Sequence, residues 1–104
     1  MKSRNGDTEN TASEQLQLQL FVSGMSPKSM DAIENIRRIC SKYLDNNYRL
    51  DIIDIYKNPA MAQEQQIVFC PSLVKTYPLP KKILVGSLED TQKVLQALGV
   101  KTTE

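Results

Sequence analysis

The 104-residue chain contains no histidine and only two cysteines, Cys40 and Cys70. The lack of histidine removes the most versatile acid–base catalyst and the commonest metal ligand among the side chains. The two cysteines lie 30 residues apart, a spacing that matches no metal-binding or dithiol redox motif. We therefore expect no metal and no cofactor, and in the cytosol we expect both thiols to be reduced.

A strong excess of charge of one sign is also lacking, because 13 lysines and arginines oppose 12 aspartates and glutamates. This balance predicts neither a nucleic-acid partner nor a membrane-binding surface. No apolar run approaches the roughly 20 residues that a membrane span requires. The first residues are polar and lack the apolar centre of a signal peptide, so we expect a cytoplasmic protein.

The length of the chain is that of one small domain. Residues 1–14, MKSRNGDTENTASE, hold almost no apolar side chain and cannot bury enough surface to offset the entropy lost on ordering. We predict that they form a flexible polar tail. A folded domain is expected over residues 15–100, followed by a short C-terminal tail over residues 101–104.

The first half of the domain predicts a strand, a helix and a strand. In residues 16–20, LQLQL, apolar and polar side chains alternate with the period of a strand. Ser26 and Pro27 are typical of a helix start, and apolar residues then recur at helical spacing. Residues 48–56 are predicted to be a second strand, and apolar side chains on both of its faces indicate the sheet interior. A right-handed parallel crossover is expected between the two strands.

The second half of the domain predicts a short helix and two strands. Asn58 and Pro59 are typical of a helix start, and the following AMAQEQQ has helical propensity but few apolar side chains. Residues 72–77 and 81–85 are predicted to be strands. Their short Pro-Leu-Pro connection favours an antiparallel pair.

The last element predicted from the sequence is a helix over residues 88–98. Ser87 and Asp90 match a capping box before its apolar face, and Gly99 is typical of a helix end. The predicted element order is then β-α-β-α-β-β-α, which describes an α/β fold.

The segment VFCPSLVK at residues 68–75 resembles the proline loop of thioredoxins, in which a proline, often cis, precedes a strand. By that analogy we expect a cis peptide bond before Pro71. A thioredoxin enzyme also carries its attacking cysteine at the start of the first helix, where the helix dipole lowers the thiol pKa. The matching stretch here, residues 24–29, contains no cysteine. We predict that Cys40 is a small core residue and that Cys70 is structural or incidental.

Three longer segments carry a more specific resemblance, namely LFVSGMSPKS, DIIDIYKNP and CPSLVKTYPLPKKILVGSL. Together and in this order they are similar to the KaiB family of small clock proteins from cyanobacteria and other bacteria. The resemblance covers residues 16–98, nearly all of the predicted domain. It implies a thioredoxin-like fold, the fold-switched KaiB state, with the KaiB ground-state fold as the alternative.

The KaiB resemblance implies a binding protein that is not an enzyme and has no catalytic residue. Members of the family bind the N-terminal ATPase ring of KaiC, compete there with the sensor kinase SasA and help to sequester KaiA. They thereby regulate the KaiC phosphorylation cycle and the binding of its output kinase. The ground-state fold of the family forms tetramers, whereas the rarer thioredoxin-like fold binds KaiC.

A set of partner-binding residues is also expected. Lys57 aligns with a family position that faces KaiC, although a lysine at a strand end is often only a solvated charge. Lys81 and Lys82 lie on a predicted edge strand, where lysine protects against aggregation and also suits an acidic partner. The partner-binding residues expected are Lys57, Asn58, Pro59, Lys81 and Lys82.

The half of the domain that rearranges in the family begins near Asn58 and contains three prolines and a glycine hinge. Where the family has Gly-Asp-Leu, this chain has Gly-Ser-Leu, whose serine suits a following helix. The chain also ends at GVKTTE, without the acidic extension of the ground-state tetramer. These departures predict a monomer or weak dimer, mainly in the thioredoxin-like state, with a tetramer as the ground-state alternative. The fold-switch and loop residues expected are Pro71, Pro78, Pro80, Gly86, Ser87 and Leu88.

Two other classes of function stay open at this point. A thioredoxin-like chain with one accessible thiol could be a single-cysteine oxidoreductase or a glutathione-dependent enzyme, although a lone thiol does not complete dithiol exchange. A KaiB-like chain could also act in a stress response, or as a sensor module detached from a histidine kinase.

Overall fold

The computed structural model describes residues 15–45 and 47–100, and the predicted tails at 1–14 and 101–104 lie outside the described residues. In the described part the element order is β-α-β-α-β-β-α, as predicted. The strands and helices are β1 (Leu16–Val22), α1 (Pro27–Tyr43), β2 (Tyr48–Asp54), α2 (Pro59–Glu64), β3 (Ser72–Tyr77), β4 (Lys82–Val85) and α3 (Thr91–Leu98).

The strands of the described residues form one sheet in the order β2-β1-β3-β4. β1 and β2 are parallel, whereas β3 is antiparallel to both β1 and β4. The parallel pairing across the first crossover and the antiparallel pair near the end of the chain are thus confirmed. With helices packed on both faces of the sheet, this is a thioredoxin-like α/β fold.

The prediction that β2 lies inside the sheet is wrong, because within the described residues β2 is an edge strand. Its apolar side chains on both faces have another cause. Ile52 packs against the core on one side of the sheet, while Ile53 is buried in the core on the other side. Because both faces of this edge strand are covered, it lacks the apolar–polar alternation of a strand that has one face in solvent.

One side of the sheet carries the large core, which lies under α1 and α3. The alternating leucines of β1 point to this side, and α1 covers them with an apolar stripe. Burial of one large aliphatic side chain stabilises a fold by roughly 1.5–3 kcal/mol, so this side supplies most of the stability. The large core consists of Leu16, Leu18, Leu20, Val22, Ala32, Ile36, Ile39, Cys40, Leu73, Leu88, Val94, Leu95 and Leu98.

The other side of the sheet carries the small core, which lies under the short helix α2. Its buried residues are Phe21, Ile53, Ala62 and Val74. Ile55, Ile67 and Cys70 are only partly buried where they pack against it. Helix α2 spans six residues, which is too short to cover the whole face, and the edge of this side therefore stays accessible.

The start of α3 differs from the prediction. Asp90 rather than Ser87 caps the helix, because its carboxylate accepts a hydrogen bond from the backbone N–H of Lys93 at 3.2 Å. The carbonyl of Ser87 instead accepts a hydrogen bond from Asn35 Nδ2 at 2.8 Å. Between them, Leu88 adopts a φ of 64° and places its side chain in the large core. This turn delays the helix, which begins later than predicted.

The remaining boundaries lie close to the predicted ones. Gly99 ends α3 with a left-handed φ of 77°, as predicted. β2 ends at Asp54 and β4 begins at Lys82, so both strands are slightly shorter than expected. Within the described ranges no helix is both long enough and apolar enough to cross a membrane.

Candidate partner-binding site

Three loops meet at one end of the sheet. The parallel strands β1 and β2 both end there, with their last residues paired in register. β3 begins at the same end, because its first residue, Ser72, pairs with Phe21 near the end of β1. Strand order and direction thus place all three loops side by side. We name these three loops the loop end; they consist of residues 23–26, 55–58 and 68–71.

The loop end exposes large apolar side chains. Met25 is 82% exposed, Tyr56 73%, Val68 80% and Phe69 64%. Each of the three loops contributes at least one of them. Exposed apolar groups that cluster at one place mark a surface for another protein more often than isolated ones do.

The half-buried side chain of Asp54 joins two of the loops. Its Oδ1 accepts a hydrogen bond from the backbone N–H of Tyr56 at 2.9 Å and another from Gly24 at 3.2 Å. The backbone carbonyl of Asp54 accepts from the N–H groups of Lys57 and Asn58 at 3.0 and 2.9 Å. Asn58 occupies the predicted N-cap position of α2, but within the described residues its side chain makes no capping hydrogen bond. Loop 55–58 is therefore organised almost wholly around one residue.

Serine hydroxyls occupy the turn where a thioredoxin enzyme carries its cysteines. Buried Ser29 Oγ accepts hydrogen bonds from the backbone N–H of Ser23 at 3.1 Å and from the Ser26 hydroxyl at 2.8 Å. Ser26 is the N-cap residue of α1, but within the described residues its side chain makes no capping bond. Ser26 thus takes the predicted position at the helix start, but its hydroxyl is turned toward its serine neighbours instead of capping the helix.

Neither cysteine is activated as a nucleophile. Burial raises the pKa of Cys40 to about 11. Burial, and after it the negative charge of Asp54, raises the pKa of Cys70. Because the thiolate is the reactive form, both thiols stay protonated near neutral pH. Cys40 lies in the large core, as predicted, and the bond between Cys70 and Pro71 is cis, as expected from the thioredoxin analogy.

Comparison with known proteins identifies the family. The sequence model of the KaiB domain matches residues 19–100. The chain belongs to the KaiB family. The circadian clock protein KaiB3 of Synechocystis sp. is 39% identical over 83 residues, which cover 80% of this chain and 81% of that protein. The predicted resemblance to KaiB is thus confirmed.

Solved structures share the fold of this KaiB chain. The N-terminal domain of SasA from Synechococcus elongatus matches with a TM-score of 0.71 at 23% identity, covering 100% of this chain and 99% of that domain. The Drosophila melanogaster thioredoxin Deadhead matches with a TM-score of 0.68 at 15% identity, covering 85% of this chain and 82% of that protein. The predicted thioredoxin-like fold is thus confirmed.

The partner-binding residues expected from the sequence fall at the two ends of the sheet. Lys57, Asn58 and Pro59 are exposed and lie in the loop end or directly beside it. Lys81 and Lys82 are also exposed, but they lie at the start of β4, which is at the opposite end. The structure therefore brings the first three residues to the apolar loops and leaves the two lysines apart from them.

The expected KaiB fold-switch and loop residues divide in the same way. Pro71 and Gly86 lie together, since the Gly86 N–H donates to the Pro71 carbonyl at 2.9 Å near the loop end. Pro78 and Pro80 lie in the β3–β4 connection at the opposite end, and each follows a cis peptide bond. Leu88 is buried in the large core.

The sequence interpretation missed the apolar residues of the loop end. Met25 stands in a predicted turn, Tyr56 at the end of the predicted second strand and Phe69 in the proline-loop segment, and none of them was among the residues expected to bind a partner. Large apolar side chains in turns next to strand ends were the available signal, because polar residues, glycine and proline are usual there. That the turns meet at one place followed only from the pairing of the strands.

Proposed function

We propose that this KaiB-family chain is a regulator without catalytic activity that binds the N-terminal ATPase ring of a KaiC-like protein. It binds through the loop end, in the thioredoxin-like state. By occupying the ring it regulates the KaiC phosphorylation cycle and the binding of a SasA-type output kinase. The proposal depends on one observation, a thioredoxin-like loop end that exposes large apolar side chains and contains no first-helix cysteine.

The loop end has the composition of a protein-binding surface. Removing its exposed apolar side chains from water supplies binding free energy. Tyrosine is enriched among the residues that dominate interfaces, and Tyr56 is the most exposed aromatic residue at this end. The neighbouring Lys57 adds a positive charge, which suits an acidic position on the partner.

The surroundings of Cys70 argue against the alternative of a single-cysteine oxidoreductase. Its raised pKa keeps the thiol protonated, and the nearby carboxylate of Asp54 repels a developing thiolate. We expect the purified chain to show no disulfide reductase and no glutathione-dependent activity. A turnover that Cys70→Ser abolishes would favour the enzyme instead.

We propose that the chain uses the same surface to compete with a SasA-type kinase for the KaiC ring. The shared fold with the SasA N-terminal domain supports a shared site on the KaiC ring. KaiA is a further partner expected from the family. In this proposal the chain acts as a monomer or weak dimer, and analytical ultracentrifugation tests this, since a stable tetramer would point to the ground-state fold.

Ring binding is tested by gel filtration and biolayer interferometry with a KaiC hexamer, in ATP and in ADP. We expect Lys57→Glu to weaken binding about tenfold or more. Lys42→Glu is the matched control, because it makes the same charge change near the C-terminal end of α1, away from the loop end. Equal losses would indicate unspecific electrostatics, and failure of the parent chain to bind any KaiC ring would overturn the proposal.

The time course of binding tests the state that binds. Because the described domain already has the thioredoxin-like fold, we expect the complex to form at once after mixing. A complex that develops only over hours would mean that KaiC selects a minor state of the chain.

A further inference from the structure

We propose that Asp54 is the positioning residue of the loop end, and that it holds Tyr56 and Lys57 in the arrangement that a partner binds. The effect on binding rests on the proposed function. The effect on the loops does not, because it follows from the hydrogen bonds of the chain itself.

One carboxylate oxygen of Asp54 ties two loops together. Its Oδ1 receives the N–H of Gly24 in the first loop and the N–H of Tyr56 in the second. The donor distances are 3.2 and 2.9 Å, both within hydrogen-bond range. Hydrogen bonds to a charged acceptor are stronger than neutral ones, so the two loops are held at a fixed separation.

The backbone of Asp54 is itself part of the sheet. Asp54 is the last residue of β2 and is paired in register with Val22, the last residue of β1. The next backbone N–H, that of Ile55, donates to the Val22 carbonyl at 2.9 Å. The loops are therefore fastened to the rigid end of a parallel strand pair.

The loop that Asp54 organises presents the aromatic ring of Tyr56. Gly24 has a φ of 60°, and a Cβ placed on it would lie 3.6 Å from two carbons of the Tyr56 ring. The ring thus lies beside Gly24, where a Cβ would contact it, while 73% of the residue stays exposed. A side chain fixed before binding loses less conformational entropy on binding.

The same geometry predicts which replacements of Asp54 are tolerated. Asparagine keeps an Oδ1 of the same reach and loses only the charge. Alanine removes the acceptor and leaves the N–H groups of Gly24 and Tyr56 to water. Serine offers a shorter acceptor that does not reach both donors. We therefore expect the order Asp, Asn, Ser, Ala from the strongest to the weakest positioning.

Two measurements test the proposal on the full chain. Amide hydrogen exchange followed by NMR reports the Gly24 and Tyr56 N–H groups, and interferometry reports the Kd for the KaiC hexamer. For Asp54→Ala we expect faster exchange at both amides and about tenfold weaker binding. For Asp54→Asn we expect both readouts within about threefold of the parent. If the alanine variant does not fold, Asp54→Ser replaces it, with a smaller loss in the same direction.

Asp51→Ala is the matched control, because Asp51 lies on the same strand and pairs with Arg49 at 3.3 Å on the surface. We expect this variant to match the parent in both readouts. A double-mutant cycle then separates positioning from direct contact. In a Tyr56→Ala background, Asp54→Ala should weaken binding less than it does in the parent, because the ring that it positions is gone.

Three results would overturn the proposal. These are unchanged amide exchange in Asp54→Ala, parent-like binding in a folded Asp54→Ala, or an Asp54→Asn variant as weak as the alanine one. If the parent chain binds no KaiC ring, the proposed function fails. The exchange rates then decide alone whether Asp54 couples the loops.

Discussion

The two sides of the sheet differ in how completely their helices cover them. On one side, α1 with 17 residues and α3 with 8 residues close over the large core. On the other side, α2 has only 6 residues, and the small core under it contains four buried side chains. The loops at the end of the sheet expose further apolar groups.

This difference shows that one apolar surface stabilises the chain and another is available for binding. Apolar surface under long helices is removed from water in the folded chain and stabilises it. Apolar surface at the loop end stays in water and gains free energy only when a partner covers it. Substitutions on the two kinds of surface should therefore have opposite profiles in stability and binding.

The largest effect on stability is expected when substitutions in the helices on the two sides of the sheet are compared. Ile36→Ala empties a fully buried position on α1 and should lower the free energy of unfolding by about 2–5 kcal/mol. Met61→Ala on α2 removes a side chain that is already 37% exposed, and should lower it by less than about 1 kcal/mol. Urea denaturation followed by circular dichroism measures both. Equal losses would contradict the unequal division of stability.

The next effect concerns the two thiols in alkaline solution. The folded chain keeps the Cys40 proton up to a pKa of about 11, whereas the unfolded chain releases it near the ordinary value of 9.0. This contribution to stability is complete below pH 9.0 and is lost as the pH rises toward 11, by about 3 kcal/mol.

Urea denaturation of the parent and of Cys40→Ala over this pH range isolates that contribution. The difference in unfolding free energy between the two chains should shrink as the pH rises. Cys70→Ala is the comparison, and its difference should change in the same direction by less, because Cys70 is only partly buried. A constant difference for Cys40→Ala would show that burial does not protect this thiol.

A smaller change in the free energy of unfolding, together with a loss of binding, is expected at the loop end. Tyr56→Ala should weaken KaiC binding about tenfold, or roughly 1.4 kcal/mol. Its free energy of unfolding should stay within about 0.5 kcal/mol of the parent. Interferometry and urea denaturation measure the two quantities.

Tyr77→Ala controls for the loss of a tyrosine, because Tyr77 lies at the end of β3 opposite to the loop end. It should bind KaiC as the parent does. Weaker binding by Tyr77→Ala than by Tyr56→Ala would move the binding surface to the other end of the sheet.

The smallest effect on stability is expected at the start of α3, on the side of the sheet that carries the large core. Asp90→Ala removes the observed cap and should lower the free energy of unfolding by about 1 kcal/mol. Ser87→Ala removes the cap predicted from the sequence and should change it by less than about 0.5 kcal/mol. Thermal denaturation ranks the two variants, and the reverse ranking would favour a helix that begins near Ser87.

Local patterns in the sequence were sufficient for the element order. The alternating leucines of β1, Pro27 at the start of α1 and Gly99 at the end of α3 act within a few residues of themselves. The family resemblance added the thioredoxin-like fold.

The errors of the sequence interpretation arise from contacts between distant segments. The edge position of β2 depends on which strand pairs with β1. The late start of α3 depends on the insertion of Leu88 into a core built by α1 and β1. The candidate site is the extreme case, since Gly24 and Asp54 meet only because their strands run parallel. Lys57 was predicted from the family resemblance, whereas its apolar neighbours could be recognised as part of the site only from the fold.

The placement of the two sulfur atoms has a consequence for oxidative stress. Cys40 belongs to the large core and Cys70 packs against the small one, so the β-sheet stands between them. An internal cross-link would require the strands to come apart. When peroxide is added, we therefore expect the folded chain to be oxidised at Cys70, including to a disulfide between two chains. Cys40 should stay a thiol until the protein unfolds.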